Sequence, residues 1–322
     1  MTALSHKIPL APTLEQRLFF ERAASTARFT YNWALAEWQE RYQLGGKPQG
    51  HLLKKSFNAL RRVQSPWTYD VHRDATAQPF ADLQRAFVNF WKGNAEYPQF
   101  KKKGKCRDSF YVACDKFHVV GKTVVLPKVG VVRMREELRF DGKILSARVT
   151  READRWSISI QVELPADYQR ARTAGGQVGV DLGITHLATL STGEVVDGPK
   201  PLKSVLKHLK RANRVLHRRK KGRANRKKAQ RRVARIHARV SHIRNDALHK
   251  LTSKLCRKNQ AISIEDLHVK GMIKNKHLNQ LGQALPEVTP VESRALGLVP
   301  IGTKLTSLKQ ERTRAHLCAR ER

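Results

Sequence analysis

The sequence predicts an α/β multi-domain protein: a helical unit, then an antiparallel sheet or small β-barrel, then a second α/β domain with a basic helical insertion. Three observations predict this architecture. Apolar residues recur at helical spacing near the N-terminus, strict alternation replaces that spacing in the middle of the chain, and a one-sided basic stretch separates two short apolar strands further on. The length of 322 residues allows two or three such domains.

The helical unit is predicted from a capping signal followed by an apolar stripe. Thr13 is a suitable N-cap and Gln16 lies three residues later, so a helix should begin there. Apolar residues then recur every three or four positions from Leu18 to Trp38, and Gly45-Gly46 ends the pattern. A second helix is predicted from about Ala75 to Trp91.

The middle of the chain is predicted to form antiparallel strands. Over Arg155–Glu163, large apolar residues alternate with polar ones, which is typical of a half-buried strand. Shorter strand-like runs separated by glycine-containing turns occur at Ser109–Ala113, Thr123–Leu126, Gly130–Met134 and Ile144–Thr150. Together they predict an antiparallel sheet or small barrel.

The charge of the chain predicts a polyanionic partner. There are 63 Lys and Arg against 27 Asp and Glu, a formal net charge of +36. Between Lys200 and Gln260 there are 23 Lys or Arg and one acidic residue, Asp246, which gives that stretch a net charge of +22. A solvated helix face normally mixes both signs, so phosphate binding is favoured. Two basic helices joined near Lys221-Gly222-Arg223 are predicted, with faces suited to a duplex.

A second candidate nucleic-acid contact is the loop Tyr97-Pro-Gln-Phe-Lys-Lys-Lys-Gly-Lys105, where two aromatic residues lie beside four lysines. Such a loop could follow a single strand or a backbone, although an exposed linker has a similar composition. The candidate nucleic-acid-binding residues of the loop and the basic helices are Lys101, Lys102, Lys103, Lys105, Arg218, Arg219, Lys220, Lys221, Arg226, Lys227, Lys228, Arg231 and Arg232.

Acidic residues mark two short strands on either side of the basic helices. Gln177–Ile184 predicts a buried strand that places Asp181 between glycines on one face, where a metal or turn amides could compensate its charge. Gln260–Leu267 predicts a second strand that ends in Glu265 and Asp266. Inward carboxylates on neighbouring strands are the arrangement used for two-metal phosphodiester chemistry with Mg²⁺.

Several classes of protein are disfavoured. The sequence has no run of about 18 apolar residues and no signal-peptide core, so we expect neither a membrane span nor secretion, and a cytoplasmic location is the default. The four cysteines are too scattered for a disulfide scaffold. Cys106 and Cys114, with His118 nearby, have the wrong spacing for structural zinc, and we expect core thiols there and no zinc site.

Four stretches together resemble the TnpB family of transposon-encoded RNA-guided DNA endonucleases, ancestors of the type V CRISPR effectors. They occur in family order over roughly residues 5–280, and any one alone would be weak. The stretches are Arg28-Phe-Thr-Tyr-Asn-Trp-Ala-Leu35, Tyr97-Pro-Gln-Phe-Lys-Lys-Lys-Gly104, Gly179-Val-Asp-Leu-Gly-Ile184 and Ile264-Glu-Asp-Leu-His-Val-Lys-Gly-Met272.

The resemblance implies a β-barrel wedge domain over residues 1–170 with a helical recognition insert at about 12–93. It implies an RNase H-like (RuvC) domain next, here a partial one over 171–280 with the basic helical hairpin at about 199–258. Asp181 and Glu265 match the family's first catalytic Asp and its catalytic Glu, both Mg²⁺ ligands. The implied partners are a guide RNA from the transposon end and a double-stranded DNA target, in a bacterial cytoplasm with association to the nucleoid.

The sequence also departs from the family. Members continue into a zinc ribbon and a third catalytic Asp, yet no Asp follows Asp266 and the only later cysteine is Cys318. Residues 281–322 resemble the family's extreme C-terminal tail, which indicates an internal deletion. Two carboxylates make a poor metal cage, so impaired cleavage is predicted.

Three functions remain open from the sequence. The first is an RNA-guided endonuclease by descent, with a damaged nuclease centre. The second is a nuclease-dead, guide-directed protein that occludes DNA as a repressor does. The third is a decayed transposon remnant that binds nucleic acid only through its charge. Guide dependence, metal-dependent cutting and the salt dependence of binding separate them.

Overall fold

The chain folds into two units, Met1–Tyr168 and Gln169–Arg322, in a computed structural model. The structure describes residues 2–164, 175–183, 186–264 and the strand 304–307. In chain order, the described elements of the first unit are β1 (Thr2–Pro9), α1 (Leu14–Gln43), α2 (Gly50–Gln64), α3 (Arg73–Trp91), β2 (Ser109–Ala113), β3 (His118–Val120), β4 (Thr123–Leu126), β5 (Gly130–Arg133), β6 (Lys143–Glu152) and β7 (Arg155–Leu164).

The helix α1 begins where the sequence predicts. The Thr13 hydroxyl oxygen accepts a hydrogen bond from the Gln16 amide at 3.3 Å, and the Gln16 side-chain oxygen accepts one from the Thr13 amide at 3.0 Å. This reciprocal pair satisfies two amides that an uncapped helix would leave without partners. The predicted second helix is confirmed as α3, whereas α2 and a short 3₁₀ turn at Pro66–Asp70 are additional elements.

The three helices pack around an aromatic core. The rings of Trp38 in α1 and Phe87 in α3 are stacked with centroids 4.3 Å apart and planes 10° apart. Phe57 of α2 lies against Phe80 of α3 at a centroid distance of 5.6 Å. The predicted apolar stripe of α1 is therefore core, and it is completed by one face of each of the other helices.

Two antiparallel sheets follow from the alternating segments. The first has the order β1-β7-β6-β2, and the second has the order β3-β4-β5. A bridge between Leu10 and Met134 links the ends of β1 and β5. The apolar face predicted for β7 is confirmed, since its four large apolar residues are buried: Trp156, Ile158, Ile160 and Val162.

The helices are inserted between two strands of the same sheet, because β1 precedes them and β2 follows them. They share the core of that sheet: the ring of Phe20 in α1 lies 5.6 Å from that of Phe110 in β2 and 5.2 Å from that of Trp156 in β7. The helical segment and the sheets therefore form one packed unit.

The second unit contains a five-stranded mixed sheet with the order β10-β9-β8-β11-β12. Its described elements are β8 (Gln177–Asp181), β9 (Ala188–Leu190), β10 (Val195–Val196), α4 (Pro201–Arg218), α5 (Ala224–Lys258), β11 (Ala261–Ile264) and β12 (Lys304–Ser307). The β9–β10 hairpin is antiparallel to β8, while β8 and β12 both lie parallel to β11. The C-terminal end of α5 packs on the sheet through Leu251 and Leu255.

The predicted pair of basic helices is confirmed as α4 and α5, joined by a turn that contains Gly222. Leu209 and Ala212 of α4 pack against Ile236 of α5, and this narrow apolar seam leaves the remaining faces to charged residues. None of the helices in the described part of the chain is long and apolar enough to cross a membrane.

Candidate metal and nucleic-acid sites

Asp181 is the last residue of β8, on the face of the strand opposite the apolar core. Val178 and Val180 are buried beneath α5, as their alternation predicts, whereas Asp181 is exposed. The expectation that this carboxylate is buried is therefore wrong, because the core covers only the valine face. No described residue donates a hydrogen bond to this carboxylate, so the turn-amide cap has no counterpart among the described residues.

The register of the two parallel strands relates the two predicted metal ligands. Val180 of β8 pairs with Ile264 of β11. Asp181 and Glu265 are the next residues along the chain from these two partners. Glu265 itself lies outside the described residues, as do Asp266 and His268.

Two hydrogen bonds hold Ser191, the residue after β9, against β8, the strand that ends at Asp181. The Gly179 amide donates to the Ser191 hydroxyl oxygen at 3.0 Å, and the Ser191 amide donates to the Gly179 carbonyl at 2.9 Å. A Cβ on Gly179 would make only ordinary contact with Ser191, so the space cleared by this glycine is modest. His186 Nδ1 lies 2.6 Å from Asp197 Oδ1.

Other carboxylates of this unit are engaged elsewhere. Glu194 pairs with the ammonium of Lys254 on α5, and this hydrogen bond holds the pKa of Glu194 below its usual value. Within the ranges that the structure describes, no three His, Cys, Asp or Glu side chains are grouped closely enough to hold a metal ion. Asp181 is thus a carboxylate of the right chemistry without a described cage around it.

The basic hairpin of α4 and α5 presents most of the predicted phosphate ligands to solvent. Eight of the nine predicted residues on it are exposed: Arg218, Arg219, Lys220, Lys221, Lys227, Lys228, Arg231 and Arg232. The ninth, Arg226, is half-buried, and its Nη1 donates to the carbonyls of Leu216 at 3.0 Å and Arg219 at 2.8 Å. Arg226 therefore caps the C-terminal end of α4, which sequence spacing did not reveal.

The loop predicted from the four lysines divides into one packed and three exposed side chains. The ammonium of Lys101 lies 3.7 Å from the centre of the Tyr31 ring, and burial lowers its pKa. Lys102, Lys103 and Lys105 are exposed. Cys106 donates its Sγ–H to the Lys102 carbonyl at 3.1 Å.

Two family descriptions match the chain. One, described as "Probable transposase", matches residues 158–276 and thus spans β8, the basic hairpin and β11. The other, described as "Helix-turn-helix domain", matches residues 1–47, where the structure has β1 and the single helix α1. Among curated proteins, the "Putative RNA-guided DNA endonuclease InsQ" of Escherichia coli (strain K12) is 32% identical over 84% of this chain and 67% of its own length. The chain belongs to the TnpB family.

A second curated relative and one solved structure are also similar to the chain. The "Putative RNA-guided DNA endonuclease" of Streptomyces pristinaespiralis is 34% identical over 88% of this chain and 71% of its own length. The fold is similar to that in the "Cryo-EM structure of the Cas12f1-sgRNA-target DNA complex", with a TM-score of 0.52 and 11% identity over 92% of this chain and 73% of that one. At this identity the likeness concerns the fold alone.

Proposed function

We propose that this TnpB-family protein binds a guide RNA and a double-stranded DNA target, and that its Mg²⁺-dependent DNA cleavage is impaired. One observation carries the proposal: the parallel strands β8 and β11, in register at Val180 and Ile264, bracket a hairpin with a strongly positive surface. In this arrangement an acidic strand end lies in the same unit as a phosphate-binding surface. The relatives' names, which describe RNA-guided DNA endonucleases, supply the guide and the target.

The domain assignment belongs to the same proposal. Residues 1–170 act as a wedge domain with a recognition insert at about 12–93, and residues 171–280 act as a partial RuvC-like domain. The insertion of the helices between β1 and β2 supports the first assignment. The crossover from β8 to the parallel strand β11, which passes through the basic hairpin, supports the second. Residues 281–322 are assigned as a tail, in which β12 adds a strand beside β11.

Impaired cleavage follows from the number of carboxylates. Asp181 and Glu265 are the proposed Mg²⁺ ligands, and carboxylate oxygens are the donors that this ion prefers. Within the described residues, no group of three His, Cys, Asp or Glu side chains could hold a metal ion, so no described third carboxylate joins Asp181. Two-metal chemistry needs more oxygen ligands than two side chains provide, so Mg²⁺ should be held weakly and in poor geometry.

The test combines target binding and target cutting with the same purified protein and guide RNA. We expect guide-dependent retention of a matched duplex that persists at raised salt, with no Mg²⁺-dependent cutting above that of Asp181→Ala. The matched control is Asp197→Ala, which removes another exposed carboxylate of the same unit, paired with His186. Cutting that Asp181→Ala abolishes and Asp197→Ala preserves would contradict the impaired-cleavage proposal. Retention that is independent of guide sequence and falls steeply with salt would instead indicate purely electrostatic binding.

A further inference from the structure

The basic loop, Tyr97 to Lys105, is attached to the helix α1 by the side chain of Asn32, and Gln39 Nε2 of α1 also donates to the Tyr97 hydroxyl at 3.4 Å. The amide of Asn32 makes a two-point contact with the backbone of Lys101: its Nδ2 donates to the Lys101 carbonyl at 2.9 Å, and its Oδ1 accepts from the Lys101 amide at 2.8 Å. Because one residue supplies both the donor and the acceptor, the orientation of the Asn32 amide is fixed. The ammonium of Lys101 then packs on the ring of Tyr31, the preceding residue of α1.

Three residues beyond the loop, Asp108 holds the chain in place through a partly buried ion pair. Asp108 accepts a hydrogen bond from Arg28 Nη1 at 2.6 Å and lies 3.2 Å from Arg151 Nη2. Its carbonyl also accepts from the Arg151 amide at 2.9 Å. Asp108, the first acidic residue after the lysines in the sequence, is thus paired with arginines of α1 and β6. It therefore does not neutralise the lysines of the loop.

Between these two attachments the chain makes a tight turn that exposes its lysines. The amides of Lys105 and Cys106 both donate to the Lys102 carbonyl at 3.1 Å, and Gly104 takes a φ of +82° that favours glycine. Lys102, Lys103 and Lys105 are exposed, and none of them forms an ion pair with a described residue. The turn therefore presents three ammonium groups from a fixed backbone.

Exposed aromatic side chains lie at the other end of the same loop. Tyr97 is 39% exposed and Phe100 is 45% exposed. The ring of Tyr97 is held against Phe87 and Phe90 of α3 at centroid distances of 5.5 and 5.3 Å. Aromatic faces beside lysines suit unpaired bases, since the bases of a duplex are already stacked on one another.

We propose that Asn32 is a positioning residue that holds the basic loop in the conformation in which it binds a single-stranded polynucleotide. Tyr97 and Phe100 stack on bases, and the exposed lysines of the turn contact phosphates. The Asn32 side chain binds the main chain of the loop at Lys101, and the Lys101 ammonium packs on Tyr31, so neither side chain touches a base or a phosphate. This inference rests on the proposed function, which it deepens by naming the strandedness of the ligand at this loop.

The experiment measures photo-cross-linking of the full-length protein to an oligo-uridine of about twelve nucleotides that carries 4-thiouridine. The yield at the peptide containing Phe100 is compared with the yield at the hairpin peptide Arg218–Lys221 in the same sample. We expect Asn32→Ala to lower the loop yield about fivefold to tenfold, the loss of roughly one stacking contact, while the hairpin yield is unchanged. Asn32→Asp, which keeps the acceptor for the Lys101 amide, should give a smaller loss.

Two controls separate positioning from general destabilisation. Asn58→Ala, at an exposed position of α2, should leave both yields unchanged, and Lys103→Gln should lower the loop yield alone. An unchanged loop yield in Asn32→Ala, or an equal fall at the loop and the hairpin, would overturn the proposal. Competition by duplex DNA that removes the loop cross-link as effectively as single-stranded RNA, at the same phosphate concentration, would also overturn it. Oligo-uridine carries no guide sequence, so the result is independent of whether guide-directed targeting occurs.

Discussion

Asp108→Ala is expected to destabilise the N-terminal unit strongly, because it removes the carboxylate that two arginines share. The Arg28 and Asp108 side chains are only 12% and 13% exposed, and their closest atoms are 2.6 Å apart. Arg151 approaches the other carboxylate oxygen at 3.2 Å. Without Asp108, the Arg28 guanidinium is left in a partly dry environment without its counter-charge.

The magnitude follows from the burial of the pair. Removing one partner of a buried ion pair costs about 3–5 kcal/mol. The Arg28–Asp108 pair is only partly buried, Arg28 keeps a hydrogen bond to the Ser25 hydroxyl, and Arg151 keeps its contact with Glu21. The lower end of that range, about 3 kcal/mol, therefore applies as an upper limit. For a unit of this size 1 kcal/mol corresponds to about 2–4 °C, which predicts a fall in Tm of no more than about 6–12 °C.

Intrinsic tryptophan fluorescence provides a specific assay, because all five tryptophans lie in the unit Met1–Tyr168. The matched control is Asp82→Ala, which removes the carboxylate paired with Arg148. This ion pair is more exposed, with 37% of the Arg148 side chain and 21% of the Asp82 side chain accessible to solvent. Such a bridge contributes about 1 kcal/mol or less, so its loss should lower Tm by no more than about 4 °C. If the two variants shift Tm equally, the reasoning from burial is refuted.

Three further predictions concern the hairpin, a buried histidine and a helix cap. The double variant Lys220→Gln/Lys221→Gln should reduce the magnitude of the slope of log K against log salt for duplex-DNA binding by about 1.8. Arg226→Gln should reduce it less, because the Arg226 guanidinium already binds two carbonyls. Fluorescence anisotropy at several salt concentrations measures both slopes. Burial lowers the pKa of His72, so the unfolded state binds more protons than the folded state at mildly acidic pH. The free energy of unfolding should therefore fall as the pH drops below about 6.5. Urea unfolding at a series of pH values should show a shallower fall for His72→Gln. Thr13→Ala should cost about 1 kcal/mol in the same urea assay, and Thr13→Ser should restore most of the loss.

Local signals in the sequence were sufficient for the elements that obey a single period. The capping box at Thr13 gave the start of α1, and the alternation from Trp156 to Val162 gave the inward face of β7. Both depend on neighbours within a few residues, which are visible without tertiary context. The basic hairpin was similarly visible, because its apolar seam repeats at helical spacing within a stretch of one charge sign.

The missed elements carry a polar residue at an inward position. The strand β1 places His6, only 6% exposed, on its inner face between the partly buried Leu4 and the buried Ile8, so its apolar alternation is interrupted. The helix α2 buries Arg61 on the same stripe as Leu53 and Phe57. The Arg61 guanidinium donates to the hydroxyl and the carbonyl of Thr68, both at 2.7 Å. Tertiary partners make these inward positions acceptable, and the sequence does not display those partners.

The same limit applies to the candidate sites. Composition located the basic residues but could not separate Lys101 and Arg226, which are engaged with Tyr31 and with carbonyls of α4, from their exposed neighbours. Positioning by Asn32 was also hidden, since Asn32 and Lys101 are 69 residues apart in the chain. The strand ending at Asp181 was predictable from its own residues. Its pairing with β11 was not, because roughly 80 residues separate the two strands and no local pattern indicates which strands pair.

The most direct test of the central claim is the identity of the RNA that the protein retains. The gene is expressed with its native downstream flank, the protein is purified through about 0.5–1 M salt to remove electrostatic binders, and the remaining RNA is sequenced. A single RNA species that overlaps the 3′ end of the gene is the predicted result. Heterogeneous RNA, or none, would contradict guide binding by this chain.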